Sequence, residues 1–183
     1  MLMLKSFLFV VIFWVSSFGL AQEIKWVSLE KAVELQKKQP KKIIMDMYTA
    51  WCGPCKMLDK NTFGNADVID YINKNYYAVK FNAEGNETVN FQGNVFTNPS
   101  YDPGRAKSRN SQHQLSSFFR VTAYPTMVFL DEKAQFITPV VGYKNPQQLE
   151  LYLKLFQSNE YKSMTTQEQF KSYSDNFKPE FTN

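Results

Sequence analysis

The sequence predicts an α/β domain: a central mixed β-sheet flanked by helices, with a polar insertion between its two halves and a helical tail at the C-terminus. Three observations carry this prediction. Ile43-Ile44-Met45-Asp46-Met47-Tyr48 and Tyr77-Ala78-Val79-Lys80-Phe81 are short apolar runs separated by a helix-length segment, as in a strand–helix–strand unit. Residues 126–130 and 135–141 are two further strand-like runs joined by a short turn at 131–134, as in an antiparallel pair. Between the halves, residues 85–110 are rich in Asn, Ser, Gly and Pro.

The elements follow in order. Residues 24–27 read as a short first strand. Ser28 is placed to cap a helix that carries Leu29, Ala32, Val33 and Leu35. Pro40-Lys41-Lys42 ends it, and the 43–48 run reads as a buried strand because it is almost continuously apolar. A helix is expected to begin at Cys52 and Cys55 and to run on to Asn75. It should break near Gly64 and be recapped by Asn65, with Val68, Ile69 and Ile72 on one face. Inside the insertion, residues 88–91 and 94–97 flank Gln92-Gly93 as a small hairpin. Asn98-Pro99 and Asp102-Pro103-Gly104 mark turns. Residues 111–119 are expected to be helical. Pro139 demands that the last strand lie at a sheet edge. Asn145-Pro146 reads as N-cap and first residue of a helix with Leu149, Tyr152, Leu153 and Phe156 on one face. In the tail, Thr165 and Glu168 have capping-box spacing, ahead of Phe170, Tyr173 and Phe177.

The chain has 183 residues, which suits one domain with appendages. Its first 21 residues read as an export signal. Lys5 precedes nine unbroken apolar residues, 7–15, and Gly19 and Ala21 occupy the −3 and −1 positions of a cleavage site after Ala21. The competing reading is a membrane anchor, but a spanning helix needs about 20 apolar residues. The stretch 7–21 is shorter and holds two serines. The expected layout is therefore a signal at 1–21, a domain at 22–158 and a tail at 159–183, in a periplasmic or secreted protein. The formal charge is +4, and the signal carries one Lys and no acid, so its removal leaves +3. That excess is small and scattered, which argues against nucleic acid as a partner.

The two cysteines stand three positions apart. Closing so short a loop removes little chain entropy, so a structural staple is a poor explanation and chemistry a better one. A zinc site would need about four ligands, and the chain offers these two Cys and one His, His113. No metal is expected. Disulfide exchange requires a partly ionised, accessible thiolate and a second thiol to resolve the mixed disulfide. A helix N-terminus at Cys52 meets the first need through its unpaired N–H groups and dipole. Cys55, one turn further in and shielded, meets the second. Pro54 falls in the first turn, where its missing N–H costs nothing. Cys52 is thus the expected nucleophile and Cys55 the resolver.

Trp51-Cys52-Gly53-Pro54-Cys55-Lys56 resembles the complete active-site motif of the thioredoxin family. That resemblance covers about residues 24–156, apart from the insertion, and implies the thioredoxin fold. Asp46, six residues before Cys52, lies in an apolar strand, where an acid is costly without a partner or a task. It is either a satisfied structural acid, or an acid on a strand edge facing water, or, as the resemblance implies, the group that handles the proton of Cys55. Lys80 resembles the family's strand lysine facing that acid, the alternative being a solvated lysine. Tyr124-Pro125 resembles the cis-proline turn that offers its backbone to an extended substrate. Gly142 resembles the glycine that lets the substrate backbone approach, and Trp51, Gly53 and Pro54 complete the implied substrate contact. Tyr124 is bulkier than the family's usual residue there. Trp26-x-Ser28-x-x-Lys31-Ala32, Asp59-x-x-Thr62-Phe63 and Asn73-x-Asn75-Tyr76 resemble the exported members.

The resemblance implies a disulfide reductase acting on exported proteins, without a cofactor beyond the Cys52–Cys55 couple. The Gly-Pro spacer is that of reductants, whereas exported oxidases of the fold usually carry a His there. A membrane thiol-disulfide transporter is the implied electron donor, and the protein is expected to act as a monomer. The alternatives are a disulfide isomerase or oxidase of the same fold, or a non-catalytic binding module. The insertion has two readings. With Phe91, Phe96, Tyr101, Phe118 and Phe119 it is a rim that selects partners, or a solvent loop whose aromatics patch the core.

Overall fold

The computed structural model describes residues 23–182. The export signal read at residues 1–21 lies outside the described residues. The strands are β1 (Trp26–Val27), β2 (Lys42–Tyr48), β3 (Tyr76–Asn82), β4 (Val89–Phe91), β5 (Asn94–Phe96), β6 (Thr126–Leu130) and β7 (Phe136–Val141). The helices are α1 (Leu29–Lys38), α2 (Gly53–Asn61), α3 (Ala66–Asn75), α4 (Gln114–Phe118), α5 (Pro146–Gln157) and α6 (Gln167–Asn176). The main sheet runs β1-β3-β2-β6-β7. Its β1–β3 and β3–β2 pairs are parallel, and β2–β6 and β6–β7 are antiparallel, so the sheet is mixed, as expected. β7, with Pro139, is the outer strand, where a residue without an N–H is tolerated.

Strand alternation sends side chains to two cores. Ile44, Ala78, Met127 and Phe129 meet Leu58 of α2, Val68, Ile69 and Ile72 of α3, and Leu149, Leu153 and Phe156 of α5. Ile43, Met45, Met47, Val79, Phe81, Val128 and Leu130 meet Leu29 and Ala32 of α1 on the other face. The insertion completes that second layer. Val89 and Phe91 of its hairpin pack there with Leu115 and Phe119. Phe91 and Phe119 are therefore core residues, Phe96 and Tyr101 are part-exposed, and Phe118 is exposed. Burying a side chain of this size stabilises by about 2–3 kcal/mol, so the segment supports the sheet it interrupts.

Several boundaries differ from expectation for local reasons. β1 is only Trp26–Val27, because the Trp26 N–H donates to the Ile24 carbonyl (3.0 Å) and turns the chain while Ile24 enters the core. α2 ends at Asn61, and the turn that follows requires glycine at 64, since a Cβ there would lie 2.6 Å from the Lys60 carbonyl oxygen. Asn65 then caps α3 by accepting from the Val68 N–H. The helix expected at 111–119 is only Gln114–Phe118. His113 caps it through Nδ1, which accepts from the Leu115 N–H (3.0 Å). The tail helix starts one residue later than expected. Thr166 and Gln169, not Thr165 and Glu168, form its capping box, because the Gln169 amide oxygen accepts from both Thr165 and Thr166 N–H groups. Phe170 and Tyr173 pack on the α5 core, whereas Phe177 falls at the C-cap beside Tyr173.

Candidate active site

The cysteines sit where β2 hands the chain to α2. Cys52 is the N-cap residue with extended backbone, Gly53 and Pro54 form the first turn, and Cys55 follows within it. Cys52 and Cys55 are joined as a disulfide, with Cα atoms 5.3 Å apart. Cys52 Sγ accepts from the Cys55 N–H at 3.1 Å. A cap is ordinarily an oxygen; here a sulfur takes that place and receives the field of the helix N-terminus. No acidic residue in the first turn of α2 offsets that field.

One expectation needs correction. Cys55 is shielded as expected, at 3% exposure, but Cys52, expected to be accessible, is only 2% exposed in the disulfide form. Trp51 beside Cys52 is held in place from three sides. The Trp51 Nε1–H donates to Glu84 Oε2 (2.7 Å). Its ring meets Tyr124 edge-on at 6.1 Å between centroids. The Arg109 guanidinium lies 4.7 Å from the ring centroid. Glu84 Oε2 also accepts from the Asn110 N–H (2.8 Å), so one buried carboxylate ties the end of the insertion to the cysteine loop.

Asp46 is 1% exposed and follows Ile44 on the sheet face that α2 covers. Its Oδ2 lies 3.3 Å from Lys80 Nζ, and its Oδ1 has no hydrogen-bond partner. Across β2 and β3 the two residues are in register. Lys80 also pairs with Asp59 of α2, so one ammonium bridges the acid on the sheet to an acid on the cysteine helix. Burial raises Asp46 from 3.8 to about 6, the Lys80 charge pulls it down, and the Asp59 charge adds to the rise. For Lys80, burial opposes the charge, but the Asp59 and Asp46 contacts outweigh it and hold the ammonium above its ordinary value. The ammonium is boxed by the rings of Trp26 (5.2 Å), Tyr48 (5.3 Å) and Phe63 (6.0 Å), which leaves it little freedom to leave the acids.

The Tyr124–Pro125 peptide bond is cis, and the Pro125 carbonyl accepts from the Gly142 N–H at 2.8 Å. That bond brings Gly142 beside the proline turn. Gly142 has φ +86°, and a Cβ there would meet nothing nearer than Lys144 Nζ at 3.7 Å. Its glycine is demanded by backbone conformation rather than by crowding. Burial and the Glu84 charge push the Tyr124 hydroxyl up to about 12, partly offset by Gln112 and Arg109, so it stays protonated as a neutral wall.

The fold thus gathers Trp51, Cys52, Gly53, Pro54 and Cys55 with Tyr124, Pro125 and Gly142 at one end of the sheet. Asp46 and Lys80 lie beneath. His113 is elsewhere: its Nε2 meets the Glu87 carbonyl (2.8 Å), its Nδ1 serves the α4 cap, and both nitrogens are spent. Among the described residues no group of three His, Cys, Asp or Glu side chains is arranged to hold a metal. Sequence reasoning missed three participants. Asp59 stood only as one letter of a subfamily pattern, although its place one helical turn beyond Cys55 would have put it on the same face. Glu84 and Arg109 carried no signal, because their meeting with Trp51 depends on how the insertion folds back.

Residues 29–157 match the family model described as a thioredoxin-like domain. The thiol:disulfide interchange protein DsbD of Pectobacterium atrosepticum is 26% identical over 121 residues, which cover 65% of this chain and only 17% of that protein. Among solved structures, a putative disulphide-isomerase from Bacteroides thetaiotaomicron aligns at 26% identity with TM-score 0.51, covering 75% of this chain and 95% of that one. A thioredoxin from Thermus thermophilus aligns at 14% identity with TM-score 0.53 over 73% of this chain and 87% of that one. The DsbH oxidoreductase aligns at 21% with TM-score 0.50 over 75% and 85%.

Proposed function

The chain belongs to the thioredoxin-like domain family and is a protein disulfide oxidoreductase, and from that premise we propose that it is an exported reductase of disulfides in other exported proteins. The observation that carries the reading is the Cys52–Cys55 couple at the N-terminus of α2, above a buried Asp46 held near neutrality. In the dithiol form, the Cys52 thiolate attacks one sulfur of a substrate disulfide. A Cys52–substrate bond forms, the substrate S–S bond breaks, and one substrate thiolate leaves. Cys55 then gives up its proton and attacks Cys52, which releases the second substrate thiolate and closes the Cys52–Cys55 bond. Two electrons pass from the couple to the substrate, and no further cofactor is needed.

Asp46 takes the proton of Cys55. A carboxyl near 6 is partly ionised at neutral pH and partly able to hold a proton, as a shuttle requires. Lys80 keeps it from rising further. Trp51, Gly53, Pro54, Tyr124, Pro125 and Gly142 form the surface on which an extended substrate segment lies. The signal (1–21) is removed on export, and the enzyme works as a monomer of domain (22–158) and tail (159–183), recharged by a membrane thiol-disulfide donor. Export is supported by the signal pattern. A periplasmic site is in keeping with the kind of relative it matches, although the chain spans only 17% of that protein. Reduction is supported by the spacer, which puts no charge or imidazole between the cysteines to stabilise the thiolate further.

A Cys55→Ala variant expressed with a tagged C-terminus should retain exported proteins as mixed disulfides on Cys52, and the wild type should reduce insulin with dithiothreitol as donor. Faster oxidation of a reduced test protein than reduction of insulin would overturn the direction. A second reading, an isomerase, is favoured by the name of the 26% identical Bacteroides structure. Reactivation of scrambled ribonuclease faster than insulin reduction would select it.

A further inference from the structure

The end of the insertion carries three cations, one of which, Arg109, lies over Trp51 beside the disulfide. Arg105, Lys107 and Arg109 are all exposed, within five residues. Among the described residues none of the three pairs with a carboxylate. Two acids, one of them buried, face three exposed cations. Glu84 is buried and accepts from Trp51 and Asn110, and Asp102 Oδ1 accepts from the Gly104 N–H. Arg109 is the best fixed of the three cations. Its guanidinium lies over Trp51, next to Cys52, and its neighbour Asn110 is anchored to Glu84. The segment is itself braced. Asn110 accepts from the Asp102 and Ser111 N–H groups and donates to the Asp102 carbonyl, and Asn98 donates to the Gly85 and Ser111 carbonyls. A cation laid on an aromatic face, on a segment braced by these hydrogen bonds, has less entropy to lose on meeting a ligand than one on a free loop.

Cys52 is also recessed, at 2% exposure, and its chain neighbour Trp51 carries Arg109 over its ring. From these facts we infer that Arg109, with Arg105 and Lys107, selects disulfide substrates whose cysteine is flanked by acidic residues. The inference rests on the proposed exchange at Cys52, and gives the substrate surface a charge preference that Trp51, Tyr124 and Pro125 do not supply, on the side away from Lys144, whose Nζ stands by Gly142. A carboxylate brought within about 7 Å of one fixed cation at a part-exposed rim changes an encounter or binding constant by about threefold to tenfold. The effect fades as added salt shortens the screening length.

The test uses two peptides that share one cysteine, blocked as the mixed disulfide with thionitrobenzoate, and differ only in Glu or Lys at the flanking positions. The pre-reduced protein is mixed with each, and the coloured thiolate released by the first attack of Cys52 is followed. The leaving group is common to both peptides, so its own charge cancels in the ratio. Wild type should react about threefold to tenfold faster with the acidic peptide in dilute buffer, and the ratio should approach one in molar salt. The ratio should fall toward one in Arg109→Ala. It should also fall in Arg105→Ala/Lys107→Ala, whose exposed positions tolerate change, and should invert in Arg105→Glu/Lys107→Glu/Arg109→Glu. Equal rates with the two peptides, or a preference that survives in both alanine variants, would overturn the inference. The readout is the first thiol attack, which reductase, oxidase and isomerase share. A preference kept by a protein that fails to reduce insulin therefore sinks the proposed direction and leaves the selectivity standing, and insulin reduction without a preference does the reverse.

Discussion

Replacing Asp46 by Asn removes one ionisation while keeping nearly the same shape, and Asn can still present its carbonyl to Lys80. In the fold Asp46 titrates at about 6 against an ordinary 3.8, because burial disfavours its charge more than Lys80 favours it. Between those two values the native state keeps a proton that the unfolded chain has already released. Stability therefore falls as pH rises through that window, is complete below it, and is fully reduced above it. With about 1.4 kcal/mol for each pH unit of difference, the ionised carboxylate costs about 3 kcal/mol at pH 8. The Asn variant avoids that cost. The expected result is a variant more stable than wild type by about 3 kcal/mol at pH 8, or about 6–12 °C in Tm for a domain of this size. The two curves should converge near pH 3.5. Urea and thermal unfolding of the oxidised proteins, followed by far-ultraviolet circular dichroism from pH 3.5 to 8, measures both. An offset that does not change with pH, or a wild type at least as stable at pH 8, would refute the reasoning. The same variant should resolve its mixed disulfide more slowly at neutral pH, so that stability and turnover move in opposite directions.

Asp59→Asn removes a negative charge that raises Asp46 and leaves Lys80 with one acid instead of two. Asp46 should then titrate below 6, and the pH profile of mixed-disulfide resolution should move to the acid side; an unmoved or alkaline-shifted profile would contradict the bridge. Gly142→Ala should cost about 1–2 kcal/mol, because φ +86° disfavours an L side chain although nothing crowds the new methyl. Thermal melts would check this, with loss well beyond that range pointing to crowding instead. Glu150 is buried in α5 and accepts from the Glu180 and Phe181 N–H groups and from Lys154, so it clasps the end of the tail. Glu150→Gln should cost about 1–3 kcal/mol. It should speed hydrogen exchange at residues 180–182 while leaving the β2 amides protected near the cysteines.

The parts of this protein written in short stretches of chain were open to sequence reasoning. The apolar runs of β2 and β6, the Asn65 and Asn145 caps, and the edge position of Pro139 each depend on neighbours within a few residues. The exchange centre was legible for the same reason, since Cys52, Pro54 and Cys55 lie in one helical turn. Asp46 stood out because a charge in an apolar strand has to be compensated. Where that compensation comes from was not legible. Lys80 arrives through the parallel register of β2 with β3, and Asp59 through the packing of α2 on the sheet. Nor could composition assign the insertion. Its Asn, Ser and Pro content says loop, yet Val89 and Phe91 are core because a sheet face lay open to them.

By itself, then, the sequence determined the elements, their order and the dithiol chemistry, because propensity, capping and spacing are local. Only the tertiary structure decided how exposed Cys52 is, which charges set the proton affinity of Asp46, and that Arg109 lies over Trp51. Each of these is a contact between residues distant in the chain, where the energy depends on burial and separation in space, and neither can be read from a run of letters.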